Sequence, residues 1–261
     1  MPGYLLLQLS DVHLRVGGVL SNGAPTSENL RRAIELILRV GLSPDLVVCS
    51  GDLADAGEGE SYDELRARLA PLVARGASVV YLPGNHDERG AFRRHLLDDA
   101  GTGDGPINQV THHGGLRVVA LDTSVPGAEH GELAQETLAF LRAALADPAP
   151  DGTVLALHHP PVPSPIASMA EIALREPGSL ADALGGSDVR LIVSGHNHHA
   201  AASALAGIPV WVSPALAYRG DVTSVHTFVP LPGAALSRID LPAGGAPLVS
   251  VVEVPLSAAR P

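Results

Sequence analysis

Lysine is absent from this chain of 261 residues, because all 17 of its basic residues are arginines. Reactions that depend on a lysine amine are therefore excluded, among them Schiff-base catalysis, serine–lysine dyads and the phosphate-binding lysine of P-loop enzymes. Cysteine is almost absent as well, and the single Cys49 cannot form an internal disulfide. Since Cys49 ends an apolar run over residues 46–49, we expect a buried and unreactive thiol.

Positive charge and long apolar runs are also scarce. The 28 acidic residues against 17 basic ones give a net charge of -11, which would repel nucleic-acid polymers and anionic membranes. Residues 1–7 lack the positive segment and the long apolar core of a signal peptide. The uncharged stretch 200–218 is interrupted by Gly207, Pro209 and Pro214, which predicts two short strands around a turn. We therefore expect a cytoplasmic protein with no integral membrane association and no nucleic-acid polymer as partner.

Six short apolar runs predict buried strands that end in polar or glycine-containing loops. They cover residues 4–9, 46–49, 79–82, 118–121, 154–157 and 191–193. Helical patterns cover residues 27–40, 61–74, 89–100 and 133–146, and the spacing of Ser61 and Glu64 predicts a capping box on the second helix. Valine-rich segments near Trp211, Val225 and Val251 predict further strands. This alternation with a β-rich end indicates an α/β sheet protein.

Clusters of His, Asp and Asn follow five of the predicted strands. They are Asp11-Val12-His13, Gly51-Asp52, Gly84-Asn85-His86-Asp87, His158-His159 and Gly195-His196-Asn197-His198. Ligands collect at the carboxyl ends of strands in α/β sheets, because the loops of neighbouring strands converge there and the strands hold them rigid. We therefore expect these clusters to form one site.

Two carboxylates, one amide oxygen and four imidazoles from these clusters form a mixed set that suits Mn, Fe, Zn or Co. The candidate ligands are Asp11, His13, Asp52, Asn85, His158, His196 and His198. Seven ligands are too many for one ion, but a shared carboxylate at Asp52 would give four to each of two ions. Two such ions generate hydroxide at neutral pH and bind both oxygens of a phosphoester displacement. Their surplus positive charge would attract a small anionic phosphodiester.

These motifs closely resemble those of the calcineurin-like metallophosphoesterase superfamily, over residues 4–219. Within it, Leu53-Ala54-Asp55, the segment 121–127 and His158-His159-Pro160-Pro161 resemble the bacterial class III cyclic-nucleotide phosphodiesterases. The resemblance implies a four-layer α/β/β/α sandwich of two mixed β-sheets flanked by helices. Residues 1–219 would form the catalytic core, and residues 220–261 would be a β-rich completion of the same domain.

The resemblance also implies a role for each site residue. One metal would be bound by Asp11, His13, Asp52 and His198, and the other by Asp52, Asn85, His158 and His196. A hydroxide bridging the metals would attack phosphorus, Asn85 and His86 would contact the phosphate, and His86 would stabilise or protonate the leaving oxygen. Asp87 would orient His86 or a ligating histidine.

Several alternatives stay open from the sequence. The substrate could be 3′,5′- or 2′,3′-cyclic AMP, a glycerophosphodiester or another small diester, and a non-catalytic metal-binding scaffold is the alternative outside enzymes. We choose His158 over His159 as ligand because of the resemblance, and the roles of Asp55 and His130 are undecided. The pair His112-His113 precedes a glycine turn and predicts a hairpin. Strand edges near the C-terminus favour a homodimer.

Overall fold

Two β-sheets lie face to face in the protein, and helices cover the outer side of each sheet. The computed structural model describes residues 3–99 and 103–256. Three apolar cores result from this arrangement, one between the sheets and one under each helical layer. The fold is therefore the four-layer α/β/β/α sandwich that the sequence predicted.

The elements of the described residues agree closely with those predicted. The strands are β1 (Tyr4–Leu9), β2 (Leu46–Ser50), β3 (Ser78–Leu82), β4 (Gln109–His113), β5 (Leu116–Leu121), β6 (Thr153–Leu157), β7 (Val189–Ser194), β8 (Ala201–Leu205), β9 (Ile208–Val212), β10 (Arg219–Gly220), β11 (Pro230–Leu231), β12 (Ala235–Leu241) and β13 (Leu248–Glu253). The α-helices are α1 (Thr26–Arg39), α2 (Gly59–Val73), α3 (Arg89–Leu96), α4 (Gln135–Ala144) and α5 (Pro177–Leu184), and a 3-10 helix covers Ala167–Ala170. The six strands and four helices predicted from periodicity are all present.

The two sheets are mixed, with parallel strands at their centres. The first has the order β13-β12-β1-β2-β3, and the second has the order β4-β5-β6-β7-β9-β8. β1, β2 and β3 are parallel to one another, and so are β5, β6, β7 and β9. The polar clusters follow the carboxyl ends of these parallel strands. β12, from the region beyond residue 219, pairs antiparallel with β1 and lies in the same sheet.

Successive side chains of a strand point to opposite faces of the sheet, which explains why the strands could be recognised as apolar runs in the sequence. Leu46 and Val48 of β2 face the core between the sheets, whereas Val47 and Cys49 face the core under α1 to α3. A strand that is buried on both faces has an apolar residue at every position. Cys49 is fully buried, and burial raises the pKa of its thiol. This environment agrees with the unreactive cysteine predicted from the sequence.

The predicted capping box on α2 is wrong. The helix begins at Gly59 with Glu58 as its N-cap residue, so Ser61 lies inside the first turn. The Ser61 hydroxyl is buried and has no hydrogen-bond partner among the described residues. Glu64 instead accepts a hydrogen bond from the Ser27 hydroxyl at 2.9 Å, which links α2 to α1. The spacing was present, but the helix started two residues earlier than predicted.

One other helix boundary differs from the prediction, and one helix was not predicted. α3 ends at Leu96, because Asp98 adopts a left-handed backbone with φ of 52° that a helix cannot contain. The predicted end at Ala100 lies outside the described residues. The short helix α5 was not predicted, since only Leu180 and Leu184 are buried on its apolar face and it begins at Pro177.

The β-rich end was predicted correctly in kind but only partly in position. The stretch 200–218 forms the predicted pair of short strands, β8 and β9, around a turn. Val225 is not in a strand but in an exposed loop between β10 and β11. β12 was missed, because Ser237, Arg238 and Asp240 interrupt its apolar residues and it has no valine.

No helix in residues 3–99 and 103–256 combines the length and the apolar composition that a membrane span would require.

Candidate metal centre

The predicted ligands meet where five parallel strands end. Asp11 and His13 follow β1, Asp52 follows β2, Asn85 follows β3, His158 follows β6, and His196 and His198 follow β7. Six of these side chains are buried, and Asn85 is half-buried. Ligand atoms of Asp11, His13 and His198 lie within 4.8 Å of one another, and so do those of Asp11, Asp52 and His158. Ligand atoms of His196 group in the same way with those of His158 and His159, and Oδ1 of Asn85 is 3.2 Å from Nε2 of His158, so the structure brings the seven residues into one cluster that spans both sheets.

Asp52 lies between the two halves of the cluster. Its Oδ2 atom is 3.6 Å from Nε2 of His13 and 3.4 Å from Nε2 of His158. Its Oδ1 atom accepts a hydrogen bond from the His86 backbone N–H at 2.9 Å. One oxygen of Asp52 thus faces both groups of predicted ligands, as a shared carboxylate would have to do.

Each of the four buried imidazoles in the cluster is held by an acceptor on its outer side. Nδ1 of His13 is 3.3 Å from Oδ1 of Asp55, Nδ1 of His158 is 2.9 Å from the Ser50 carbonyl, Nδ1 of His198 is 3.0 Å from the Tyr218 carbonyl, and Nε2 of His196 is 2.9 Å from the Ile172 carbonyl. Carbonyl and carboxylate oxygens only accept, so these ring nitrogens carry hydrogen. The opposite ring nitrogen of each histidine is left to face the cluster, as metal-ligating histidines require.

A contact between His13 and His198 tests whether the residues fit a cation. Their Nε2 atoms are 3.2 Å apart, and Oδ1 of Asp11 lies 3.4 Å from Nε2 of His198. Because both Nδ1 atoms are engaged elsewhere, two lone pairs would oppose each other between the rings. Only a shared proton or a cation makes this buried arrangement favourable. The donor set therefore fits a metal ion.

Backbone strain is concentrated in the same cluster. Five predicted ligands have positive φ angles, namely Asp11, His13, Asp52, His196 and His198. Left-handed backbone in residues other than glycine costs on the order of 1–3 kcal/mol at each position and persists where the surroundings enforce it. Hydrogen bonds between two loops enforce this backbone at the site. The Asp11 N–H donates to the Gly51 carbonyl, and the His13 N–H donates to the Asp52 carbonyl.

Two glycines in the motifs are required by close packing against ligands. A Cβ atom on Gly84 would lie 2.2 Å from Oδ1 of Asp52. A Cβ atom on Gly195 would lie 1.9 Å from Oγ of Ser10 and 2.7 Å from Oδ2 of Asp11. Any other residue at these positions would displace the carboxylates.

Asn85 and His86 lie at the open side of the cluster. Oδ1 of Asn85 is 3.2 Å from Nε2 of His158. His86 is exposed, its Nδ1 is 2.8 Å from the Asp55 carbonyl, and its ring lies 4.7 Å from the ring of His13. His86 is thus fixed beside the cluster without being enclosed in it.

Asp87 does not have the orienting role that the resemblance suggested. Its carboxylate accepts hydrogen bonds from the backbone N–H groups of Leu53, Ala54 and Gly84 and from the Tyr62 hydroxyl. None of these partners is a histidine. Through these hydrogen bonds Asp87 links the loop after β2 to the loop after β3.

The residues left undecided by the sequence have clear positions. Asp55 contacts the outer nitrogen of His13, so it belongs to the surroundings of the cluster. His159 has both ring nitrogens engaged, with the Thr123 hydroxyl at 2.8 Å and the Glu129 carbonyl at 3.1 Å. His130 pairs with Glu132 at 3.0 Å. The choice of His158 over His159 is consistent with this geometry.

Burial and neighbouring charges shift the pKa values of several residues in the cluster. Burial would lower the pKa of His158, but the charge of Asp52 beside it raises that pKa to about 9. Burial would raise the pKa of Asp52, but His158 holds it well below its usual value. Burial also lowers the pKa of His196 to about 3. Without a cation, a proton on His158 compensates Asp52, and a metal ion would displace that proton.

A recess of about 310 Å³ opens over the cluster. Asp52, Asn85, His86, His196 and His198 line one part of it. The rest is lined by Ser168, Met169, Ile172, Tyr218 and Phe228 together with Glu129 and Glu171. The sequence indicated only the loop over residues 126–131, which contains Glu129, as a flank of the site, and the other members were missed because they come from loops and a 3-10 helix and belong to no motif.

The fold and the site together define a class of metal-dependent phosphoester hydrolase. The family model for calcineurin-like phosphoesterases matches residues 4–200. The chain therefore belongs to the calcineurin-like phosphoesterase family.

Similar proteins support this assignment. The chain is 44% identical over 225 residues to a cAMP/cGMP dual specificity phosphodiesterase of Mycobacterium tuberculosis, covering 85% of this chain and 70% of the relative. It is 35% identical over 196 residues to a 3′,5′-cyclic adenosine monophosphate phosphodiesterase of Pseudomonas aeruginosa, covering 74% of this chain and 69% of the relative. A dimetal phosphatase from Danio rerio shares the fold with a TM-score of 0.64 at 16% identity, covering 95% of this chain and 99% of the other.

Proposed function

We propose that this protein is a phosphodiesterase that uses two metal ions to hydrolyse cyclic nucleotides. The position of Asp52 supports two ions most directly, because a single oxygen of Asp52 faces both His13 and His158. The identity of 44% to a cAMP/cGMP phosphodiesterase supports a cyclic nucleotide as substrate.

The two ions would share the carboxylate of Asp52. We assign Asp11, His13, Asp52 and His198 to one ion, and Asp52, Asn85, His158 and His196 to the other. Mn, Fe, Zn or Co would suit these ligands. When bound, such a pair supplies a nucleophile at neutral pH and neutralises charge on the phosphate.

His86 and Asn85 would act on the substrate itself. Both line the recess, so both can contact the phosphate oxygens. The Asp55 carbonyl keeps a hydrogen on Nδ1 of His86. The protonated ring then has a second N–H, at Nε2, which can be donated to the oxygen that leaves when its bond to phosphorus breaks.

Linear diesters such as glycerophosphodiesters are the second candidate substrate. A separate recess of about 410 Å³ adjoins Asn85 and His86 and is bounded by Ser124, Val125 and Pro126. A cyclic nucleotide carries both ester oxygens on one sugar and needs only one recess. A linear diester would place its second substituent in this additional space.

A competition assay tests the proposed substrate class. Manganese-loaded protein is incubated with equal amounts of 3′,5′-cyclic AMP and 2′,3′-cyclic AMP, and both products are followed by chromatography beside a chelator control. We expect metal-dependent hydrolysis, with the 3′,5′ isomer consumed first. Hydrolysis of a glycerophosphodiester but of neither cyclic nucleotide would favour the second candidate. Metal binding without hydrolysis of any diester would indicate a scaffold.

Other predictions from the sequence accompany this proposal. We propose one domain, with 1–219 as catalytic core and 220–261 as its completion, and the pairing of β12 with β1 supports it. Homodimer formation and a cytoplasmic location stay predictions.

A further inference from the structure

We propose that the apolar side of the recess is a subsite for the purine base of a cyclic nucleotide. In this subsite Phe228 stacks on the base, and Glu171 accepts hydrogen bonds from N–H groups on the edge of the base. The inference rests on the proposed function, and it assigns specificity to residues outside the ligand motifs.

The recess has two chemically different sides. Asp52, Asn85 and His86 line the part where the phosphodiester would be bound, and Met169 and Phe228 add apolar surface to the same recess. A nucleotide has the same division, with a charged phosphate at one end and a flat base of low polarity at the other. Sites that combine an apolar wall with a few polar groups bind small ligands in a fixed orientation. A nucleotide with its phosphate at the predicted ligands would place its base against the apolar residues.

Phe228 is held in a defined position beside the cluster. Its backbone N–H donates to the Ser168 hydroxyl at 3.0 Å, and the Ala167 N–H donates to the Val225 carbonyl at 2.9 Å. These bonds attach the loop between β10 and β11 to the 3-10 helix. The half-buried Phe228 ring lies 5.8 Å from the ring of His198, at an interplanar angle of 82°. A partly exposed aromatic ring is thus fixed next to a predicted ligand.

Glu171 is the polar group on the same wall. It directly follows the 3-10 helix and lies between Met169 and Ile172, which line the recess with it. Glu171 is exposed, and its side chain has no hydrogen bond or ion pair among residues 3–99 and 103–256. An unpaired carboxylate repels phosphate but accepts hydrogen bonds from N–H groups. Adenine offers an amino group, and guanine offers an amino group with an adjacent ring N–H.

Glu129 provides a matched control for Glu171. It also lines the recess, is exposed, and has a side chain with no partner among the described residues. It comes from a different loop, whose backbone contacts His159. Replacing either glutamate by glutamine removes one negative charge from the same recess. The two variants should therefore differ only because Glu171, and not Glu129, accepts hydrogen bonds from the base.

The stacking role is tested with Phe228→Ala and Phe228→Trp. We expect KM for 3′,5′-cyclic AMP and cyclic GMP to rise about tenfold in the alanine variant, the scale of losing one base–aromatic stack, and to stay near the wild-type value in the tryptophan variant. Trimethylene phosphate is the six-membered cyclic diester without sugar or base. Its inhibition constant should be unchanged in both variants. An equal loss of affinity for trimethylene phosphate would overturn the stacking role.

The hydrogen bonds from the base to Glu171 are tested with Glu171→Gln. We expect the ratio of kcat/KM for cyclic GMP to that for cyclic AMP to fall about tenfold, because glutamine keeps one acceptor oxygen, so guanine would lose one of its two hydrogen bonds and adenine would keep its one. Glu129→Gln should leave this ratio unchanged. Equal changes of the ratio in the two variants would overturn the assignment to Glu171.

The outcomes separate this inference from the proposed function. A wild-type enzyme that hydrolyses no cyclic nucleotide would overturn both. A wild-type enzyme that hydrolyses cyclic AMP, with Phe228→Ala and Glu171→Gln leaving KM and the ratio unchanged, would overturn the base subsite alone.

Discussion

Among single residues, His86 is the one whose removal tests the chemistry with least disturbance of the ligands. It is exposed and lines the recess, whereas the buried imidazoles around it face the cluster. We expect His86→Ala to lower kcat by about 10²–10⁴, the range for loss of a positioned acid or base, and to leave bound metal unchanged by elemental analysis. His112→Ala, which removes an exposed histidine from β4, serves as the control. Undiminished turnover by the His86 variant would contradict its role.

Asp87 acts on stability through its hydrogen bonds. Burial, reinforced by the charge of Asp52, raises the pKa of Asp87 to about 6, yet its oxygens receive hydrogen bonds from three backbone N–H groups and the Tyr62 hydroxyl. Asparagine has one acceptor oxygen in place of two, so buried donors would lose their partner. We expect Asp87→Asn to lower the free energy of unfolding by about 1–3 kcal/mol in urea titrations of the metal-free protein. An unchanged unfolding midpoint would contradict this account.

The site residues divide into those that the sequence could indicate and those that it could not. Asp52 and His158 could be predicted as ligands because each lies just after a buried strand, where strand ends converge, and the family resemblance favoured His158 over His159. The partners of Asp87 were not identifiable, since they depend on how the loops after β2 and β3 pack on Tyr62. Phe228 was equally hidden, because a loop distant in sequence brings it to the recess.

Among the secondary-structure elements, the N-termini of α2 and α3 allow a direct test of helix capping. Glu88 caps α3, since its side chain accepts from the N–H groups of Gly90 and Ala91 at 2.9 and 2.6 Å. We expect Glu88→Ala to cost about 1 kcal/mol of unfolding free energy. Ser61→Ala should not lower it, because the buried Ser61 hydroxyl makes no hydrogen bond that the substitution would remove. A loss of about 1 kcal/mol in Ser61→Ala would instead support the capping box that the sequence predicted.

The predictability of each element depended on how it is buried. β2 and β6 are buried on both faces and appear in the sequence as continuous apolar runs. β12 carries the half-buried Arg238 and Asp240 among its buried residues, so its sequence lacks such a run. α5 spans eight residues with two buried leucines, which is too little periodicity to recognise. Tertiary packing determined these elements more than their own sequences did.

For the whole molecule, metal binding should depend on pH. The pKa of His158 is raised to about 9 beside Asp52, so the metal-free protein holds a proton there at pH 7. A cation must displace this proton, and acid therefore opposes binding. We expect the affinity for Mn²⁺ to rise between pH 6 and about pH 9 and to level off above it. Calorimetry in two buffers with different ionisation enthalpies should show proton release at pH 7, and an affinity independent of pH would contradict this.

A titration of metal-free protein with Mn²⁺ tests the central claim most directly. Bound metal and the rate of 3′,5′-cyclic AMP hydrolysis are measured in the same samples. The shared position of Asp52 between His13 and His158 predicts that activity rises until two ions are bound per chain and then levels off. Asp52→Asn should lose both the second ion and the activity. Full activity at one ion per chain, or two bound ions without hydrolysis of any phosphodiester, would contradict the account.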